Sequence, residues 1–171
     1  MNLLNKARRK DPAAFESLIR DELPSMYRVA YSMLQNDEDV ADAIQETMLK
    51  CWEKIGTLKK SSFFKTWLIR ILINNCKDIL KKRRITIPIE EAPEIPMMDN
   101  YFADDWKEII RQLDEKYRIV IELYYVEEIP TREIAKMLEI SDDNVRSRLS
   151  RGRKQLEKIV TESFMEDTHE Y

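Results

Sequence analysis

Apolar residues recur three and four positions apart along most of the chain, the period of helices that bury one face. Asp11 followed by Pro12 predicts a helix start: the carboxylate can accept from free N–H groups of the first turn, and proline costs nothing at the first position. That helix is expected to run to about Leu23, where Pro24 resets the chain, and a second runs to Leu34. Asn36-Asp37 caps a third, ending at Gly56, a residue suited to a left-handed exit. A fourth spans about Ser62 to Arg84. From Ile87 to Ala103 the period lapses and Pro88, Pro93 and Pro96 crowd in, which reads as a linker. Beyond it, Trp106, Ile109, Ile110 and Leu113 mark one helix, and Ile119, Val120, Leu123 and Tyr124 mark another, stopped by Pro130. Two shorter units follow, Arg132 to Leu138 and Asp142 to about Val160.

The segment from Thr131 to Leu156 carries the strongest local pattern. A short helix, a tight turn at Glu139-Ile140 and a helix capped by Ser141 form a helix-turn-helix, with Ala135 small enough for close approach. At roughly 100° per residue, Val145, Leu149, Gly152 and Leu156 share an inward stripe, while Asn144, Ser147, Arg151 and Lys154 point outward. Arg146 and Arg153 flank that outward face on one side and Arg148 on the other. This placement suits phosphate contact at the edges and base edges at the centre. The alternative is a helical hairpin with a solvated basic face.

Composition agrees with an all-α chain: 36% of residues are charged, 43% are apolar and only two are glycine. The expected architecture is two small helical domains, residues 1–86 and 104–171, joined by an acidic, proline-containing linker over 87–103, the second containing the helix-turn-helix. Domains of that size are modestly stable, so partners are expected to matter. The net charge of -3 conceals sorting along the chain. Lys65, Arg70, Lys77, Lys81, Lys82, Arg83 and Arg84 face one acid, Asp78, whereas Glu90, Glu91, Glu94, Asp99, Asp104 and Asp105 have no base among them. A second basic block runs from Arg146 to Lys158. Cys51 and Cys76 stand far apart without metal-ligand spacing, and the single histidine is His169, so ordinary buried thiols and no metal or cofactor are expected. No apolar run approaches a membrane span and Met1 to Lys10 lacks a signal-peptide core, which predicts a cytoplasmic protein. Neither a glycine-rich phosphate loop nor a nucleophile with a base partner is present, which argues against an enzyme.

Two further clusters have weaker local readings. On the Ser62 to Arg84 helix, Thr66, Arg70, Asn74, Lys77, Lys81 and Arg84 share one side, with Phe64, Leu68, Ile71 and Ile79 opposite, so the helix presents a cationic stripe. A merely soluble face is the alternative. Phe63, Phe64, Trp67 and Trp52 are aromatics that suit base stacking or, more ordinarily, a core. In the third helix Val40, Ile44, Thr47 and Cys51 form the buried stripe, leaving Asp42, Gln45 and Glu46 exposed. An acid, an amide and an acid at that spacing are common on surface helices and do not establish docking alone.

Taken in order, these segments resemble the extracytoplasmic-function sigma factors of bacterial RNA polymerase over nearly the whole chain. DAIQETM, Asp42 to Met48, is similar to the family's DxxQETF stretch, and FKTWLIRILINNCKDILKK, Phe64 to Lys82, to its second signature. Leu113 to Leu156 is similar to the promoter-reading domain. The resemblance implies an alternative sigma factor with core RNA polymerase (its β and β′ subunits), promoter DNA and an anti-sigma factor as partners. It implies that Asp42, Gln45 and Glu46 meet the clamp helices of the largest subunit. It implies that the loop bearing Lys59, Lys60, Ser61 and Ser62, and the helix bearing Lys65, Arg70, Asn74, Lys77 and Lys81, read the melted −10 element. The −35 element would be read by Asn144, Arg146, Ser147, Arg148, Arg151, Arg153 and Lys154, and the linker would run toward the polymerase channel. Four positions depart from the pattern. Met48 replaces the usual Phe as a tolerable core change, and Ile73 stands where a base is frequent, which predicts fewer −10 contacts. Glu139 occupies a turn position often held by Gly, which predicts a turn built differently, and Gly152, usually Ala, suits close packing. The rival reading is a helix-turn-helix regulator acting without polymerase.

Overall fold

The computed structural model describes residues 2–85 and 104–168, which contain helices and no strand. The chain divides into two compact units. In the first, α1 (Leu3–Arg8) precedes α2 (Pro12–Leu34) and α3 (Asp37–Lys54). Two 3-10 turns, Ile55–Thr57 and Ser61–Phe63, lead into α4 (Phe64–Ile85). The second unit holds α5 (Asp104–Gln112), α6 (Glu115–Ile121), a π-helical turn over Glu122–Val126, α7 (Thr131–Leu138) and α8 (Asp142–Asp167). The expected linker, 87–103, lies outside the described residues.

The predicted caps are made. Asp11 accepts from Ala13 and Ala14 N–H at 3.0 and 3.2 Å, Asn36 from Asp39 at 2.9 Å, and Ser141 from Asn144 at 3.1 Å. Helix α1, with Asn2 as cap, escaped the sequence reading because six residues show too little periodicity; Leu4 and Ala7 bury it. Pro24 does not end its helix: α2 continues through it for 23 residues. Phe15 and Ile19 before the proline, and Met26, Val29 and Ala30 after it, are all buried, and that shared burial outweighs the lost backbone bond. Gly56 does not take a left-handed exit; it lies in the 3-10 turn at negative φ, while among the described residues Lys10, Gln35, Glu128 and Glu139 hold the positive-φ positions.

Tyr27, Tyr31, Leu34, Ile55, Leu68, Ile69, Leu72 and Ile73 fill the first core. Cys51 and Cys76 are buried free thiols. Desolvation pushes both thiol pKa values up to about 12, with Lys54 and Arg83 respectively opposing it only in part. In the second unit, a Cβ at Gly152 would stand 3.1 Å from Ile121 Cδ1 and 3.2 Å from Tyr117 Cβ, so this glycine sets the approach of α8 to α6.

Candidate nucleic-acid and protein-docking surfaces

Helix α8 is oriented by its inward stripe. Val145, Leu149 and Gly152 are buried and Leu156 is half-buried, which turns Asn144, Ser147, Arg151 and Lys154 to the surface. Two flanking arginines are braced along the helix: Arg146 pairs with Asp142 at 2.9 Å, and Arg148 Nε donates to Asn144 Oδ1 at 3.0 Å. The turn before α8 is tight. Glu139 sits at φ 57°, ψ 43°, and the N–H groups of Glu139 and Ile140 both reach the Ala135 carbonyl. A non-glycine residue therefore does adopt the left-handed conformation, contrary to the differently built turn expected above.

Helix α4 presents most of its expected stripe: Arg70, Asn74 and Lys81 are exposed and Thr66 and Lys77 half-buried, opposite Leu68 and Leu72, while the Arg84 side chain lies outside what is described. Lys65, half-buried, stands off the stripe on the side of Leu72 and Cys76. Lys59, Lys60, Ser61 and Ser62 are exposed on the loop before it. Ile71 and Ile79 are only half-buried, and the core side is completed by Ile69, Leu72 and Ile73. Ile73 is fully buried, on the core side of the helix. Of the four aromatics, Phe64 is core, Trp52 and Trp67 are half-buried, and Phe63 is 55% exposed with Lys60 Nζ 5.8 Å from its ring centre.

Asp42, Gln45 and Glu46 share the exposed face of α3, above buried Val40, Ala43, Ile44 and Thr47. Lys50 pairs with Glu46 at 3.7 Å and donates to Asn75 Oδ1 of α4 at 2.6 Å. The buried Asn75 amide in turn donates to Thr47 Oγ1 at 2.9 Å. Sequence reading singled out Asn74 and missed Asn75, although position 75 falls on the inward face with Phe64, Leu68 and Ile79; a search for apolar residues passes over a buried amide. Beside Gln45, Pro12, Phe15, Met48, Leu49 and Trp52 line an apolar groove, so Met48 is a groove residue and not a core substitute.

Family models match both units in order: Sigma-70 region 2 over residues 18–85 and Sigma-70 region 4 over residues 104–156. The chain is 28% identical to the RNA polymerase sigma factor SigV of Bacillus subtilis over 153 residues, covering 87% of this chain and 92% of that one. It is 25% identical to the ECF RNA polymerase sigma factor SigW of the same organism over 174 residues, covering 91% and 93%. The chain is an extracytoplasmic-function member of the sigma-70 family. Its fold matches two solved structures. One is the sigma factor RpoE in complex with the anti-sigma factor NepR from Bartonella quintana, with TM-score 0.69, 23% identity and coverage of 86% and 96%. The other is CnrH in complex with the cytosolic domain of CnrY, with TM-score 0.63, 22% identity and coverage of 93% and 95%.

Region 2 in this sigma factor thus contains α3 and α4, with the acidic face on one and the cationic stripe on the other. Region 4 contains the helix-turn-helix and ends at Leu156, whereas α8 continues to Asp167. Among the described residues no cluster of side chains suits a metal ion, and no helix is long and apolar enough to cross a membrane.

Proposed function

We propose that this chain acts in the cytoplasm as a detachable specificity subunit, binding core RNA polymerase and directing it to promoters without catalytic groups or a cofactor of its own. The observation that carries the reading is the pair of family regions in order, each presenting an exposed surface of suitable chemistry. Asp42, Gln45 and Glu46 form the docking face for the largest subunit of the polymerase, where exposed carboxylates meet complementary charge. Lys59, Lys60, Ser61 and Ser62, with Lys65, Arg70, Asn74, Lys77 and Lys81, hold the melted −10 strand, and exposed Phe63 adds a ring on which an unpaired base can stack. Ser147 and Arg151 read the −35 base edges, with Asn144 and Lys154 beside them, while Arg146, Arg148 and Arg153 take the groove walls. Because the two solved relatives were captured with NepR and CnrY, a comparable anti-sigma partner is proposed here too.

Transcription by core polymerase with and without the chain, on a library of genomic promoter fragments, tests the class directly. Initiation at a defined promoter set should require both components. Reversing Asp42 and Glu46 to Lys together should weaken core binding at least about tenfold with helical content unchanged. Arg151→Ala should relax preference at one or two base pairs of the upstream element. Sequence-specific control by the chain without core polymerase would instead establish the lone regulator.

A further inference from the structure

The π-helical turn places two tyrosines beside α8, of which the periodicity marked only Tyr124, and that as part of an apolar helix face. In an uninterrupted helix, Tyr124 would continue the buried stripe of Val120 and Leu123. Instead the N–H of Glu127 reaches back five residues to the Glu122 carbonyl at 3.1 Å, and the widened turn leaves Tyr124 and Tyr125 at 40% and 44% exposure. Their rings meet edge to face, centroids 5.0 Å apart. With Pro130, Thr131, Arg146, Leu149 and Arg153 they line a cleft of about 680 Å³.

The position of this cleft around α8 decides what it suits. At roughly 100° per residue, Arg146 and Arg153 lie about 100 to 120° around the helix from Ser147. A helix with its side chains is about 10–12 Å across and the major groove about 12 Å wide, so when the Ser147 face meets base edges this flank meets the sugar-phosphate wall. Two guanidinium groups, two phenol hydroxyls and the Thr131 hydroxyl belong to the lining of this one cleft and can act as donors, and the tyrosine rings offer apolar surface to deoxyribose. That is the chemistry of a phosphodiester grip. The Asp142 carboxylate that braces Arg146 still leaves it exposed, and Arg153 is exposed as well.

We propose that this cleft grips the backbone of one DNA strand beside the base pairs read by α8, with Tyr124 and Tyr125 as contacts additional to the arginines. The proposal rests on α8 being the duplex-reading helix. It is tested with the full chain and core polymerase on a promoter duplex from the transcription assay, and on versions carrying one neutral methylphosphonate at each upstream phosphate in turn. The double variant Tyr124→Phe/Tyr125→Phe keeps the rings and removes the hydroxyls. It should weaken binding roughly three- to tenfold on all sequences alike, leave the salt slope unchanged, and lose sensitivity to neutralisation at one or two phosphates. Arg153→Ala should instead lower the salt slope by about one. Wild-type affinity and an unaltered methylphosphonate pattern in the double Phe variant overturn the proposal while leaving the −35 reading of Arg151 intact. So does a loss confined to core binding, which makes the cleft a protein contact. If Arg151→Ala leaves base preference untouched, α8 is not the reading helix and both ideas fall together.

Discussion

Glu139 holds a backbone conformation that costs an L-residue roughly 1 to 2 kcal/mol and costs glycine almost nothing. It does so because both the Glu139 and Ile140 N–H groups close on Ala135, which sets the angle at which α8 leaves α7. Glu139→Gly is expected to stabilise the second unit by about 0.5 to 1 kcal/mol, the relief of strain being offset in part by the freer unfolded chain. Urea unfolding reads this directly, and −35 binding should be unchanged because the turn keeps its geometry. A destabilised variant would mean that the Glu139 side chain contributes more than its backbone costs. Gly152 is the opposite case: its φ is ordinary, and what requires glycine is Tyr117 and Ile121 pressing on the place of a Cβ.

At the scale of elements, what the sequence reveals depends on whether a single local rule decides the outcome. The caps at Asp11, Asn36 and Ser141, the buried stripe of α3 and the outward face of α8 follow from spacing alone, and all are found. Pro24 is misread because a local rule meets a tertiary one: the apolar residues on both sides share a core. The π-helical turn is invisible to a search for a period of 3.6, and so Tyr124 is mistaken for a buried residue. Asn75 is legible in position, on the inward face with Phe64 and Leu68, but not in chemistry, because the partners of its amide, Lys50 and Thr47, lie more than twenty positions away. If α2 persists only through packing, replacing its proline should reveal the stored cost. Pro24→Ala restores a donor for the Arg20 carbonyl and should stabilise the first unit by about 1 to 3 kcal/mol in denaturant titration. No gain, or a loss, would show that the ring packs into the core strongly enough to offset the missing bond.

The molecule as a whole is two units of unequal chemistry, since both cysteines lie in the first. Their thiols stay protonated in the fold to about pH 12, whereas unfolded thiols ionise near pH 9. The unfolded state therefore binds fewer protons between those limits, and stability falls as pH rises. Each thiol should remove about 1.4 kcal/mol per pH unit across that window. Urea titrations between pH 8 and 10.5, following unfolding of the first unit through Trp52 and Trp67, should show this slope, and the variant Cys51→Ala/Cys76→Ala should lack it. An equal slope in both proteins would assign the alkaline loss to other groups. In the same unit, the bonds that Asn75 accepts from Lys50 and donates to Thr47 act as a key between two shafts. One shaft carries the acidic face, the other the cationic stripe, and the Arg83–Asp39 pair joins them a second time. With the key in place their rotational phase is fixed. Substitutions that retune either surface therefore inherit the setting of the other.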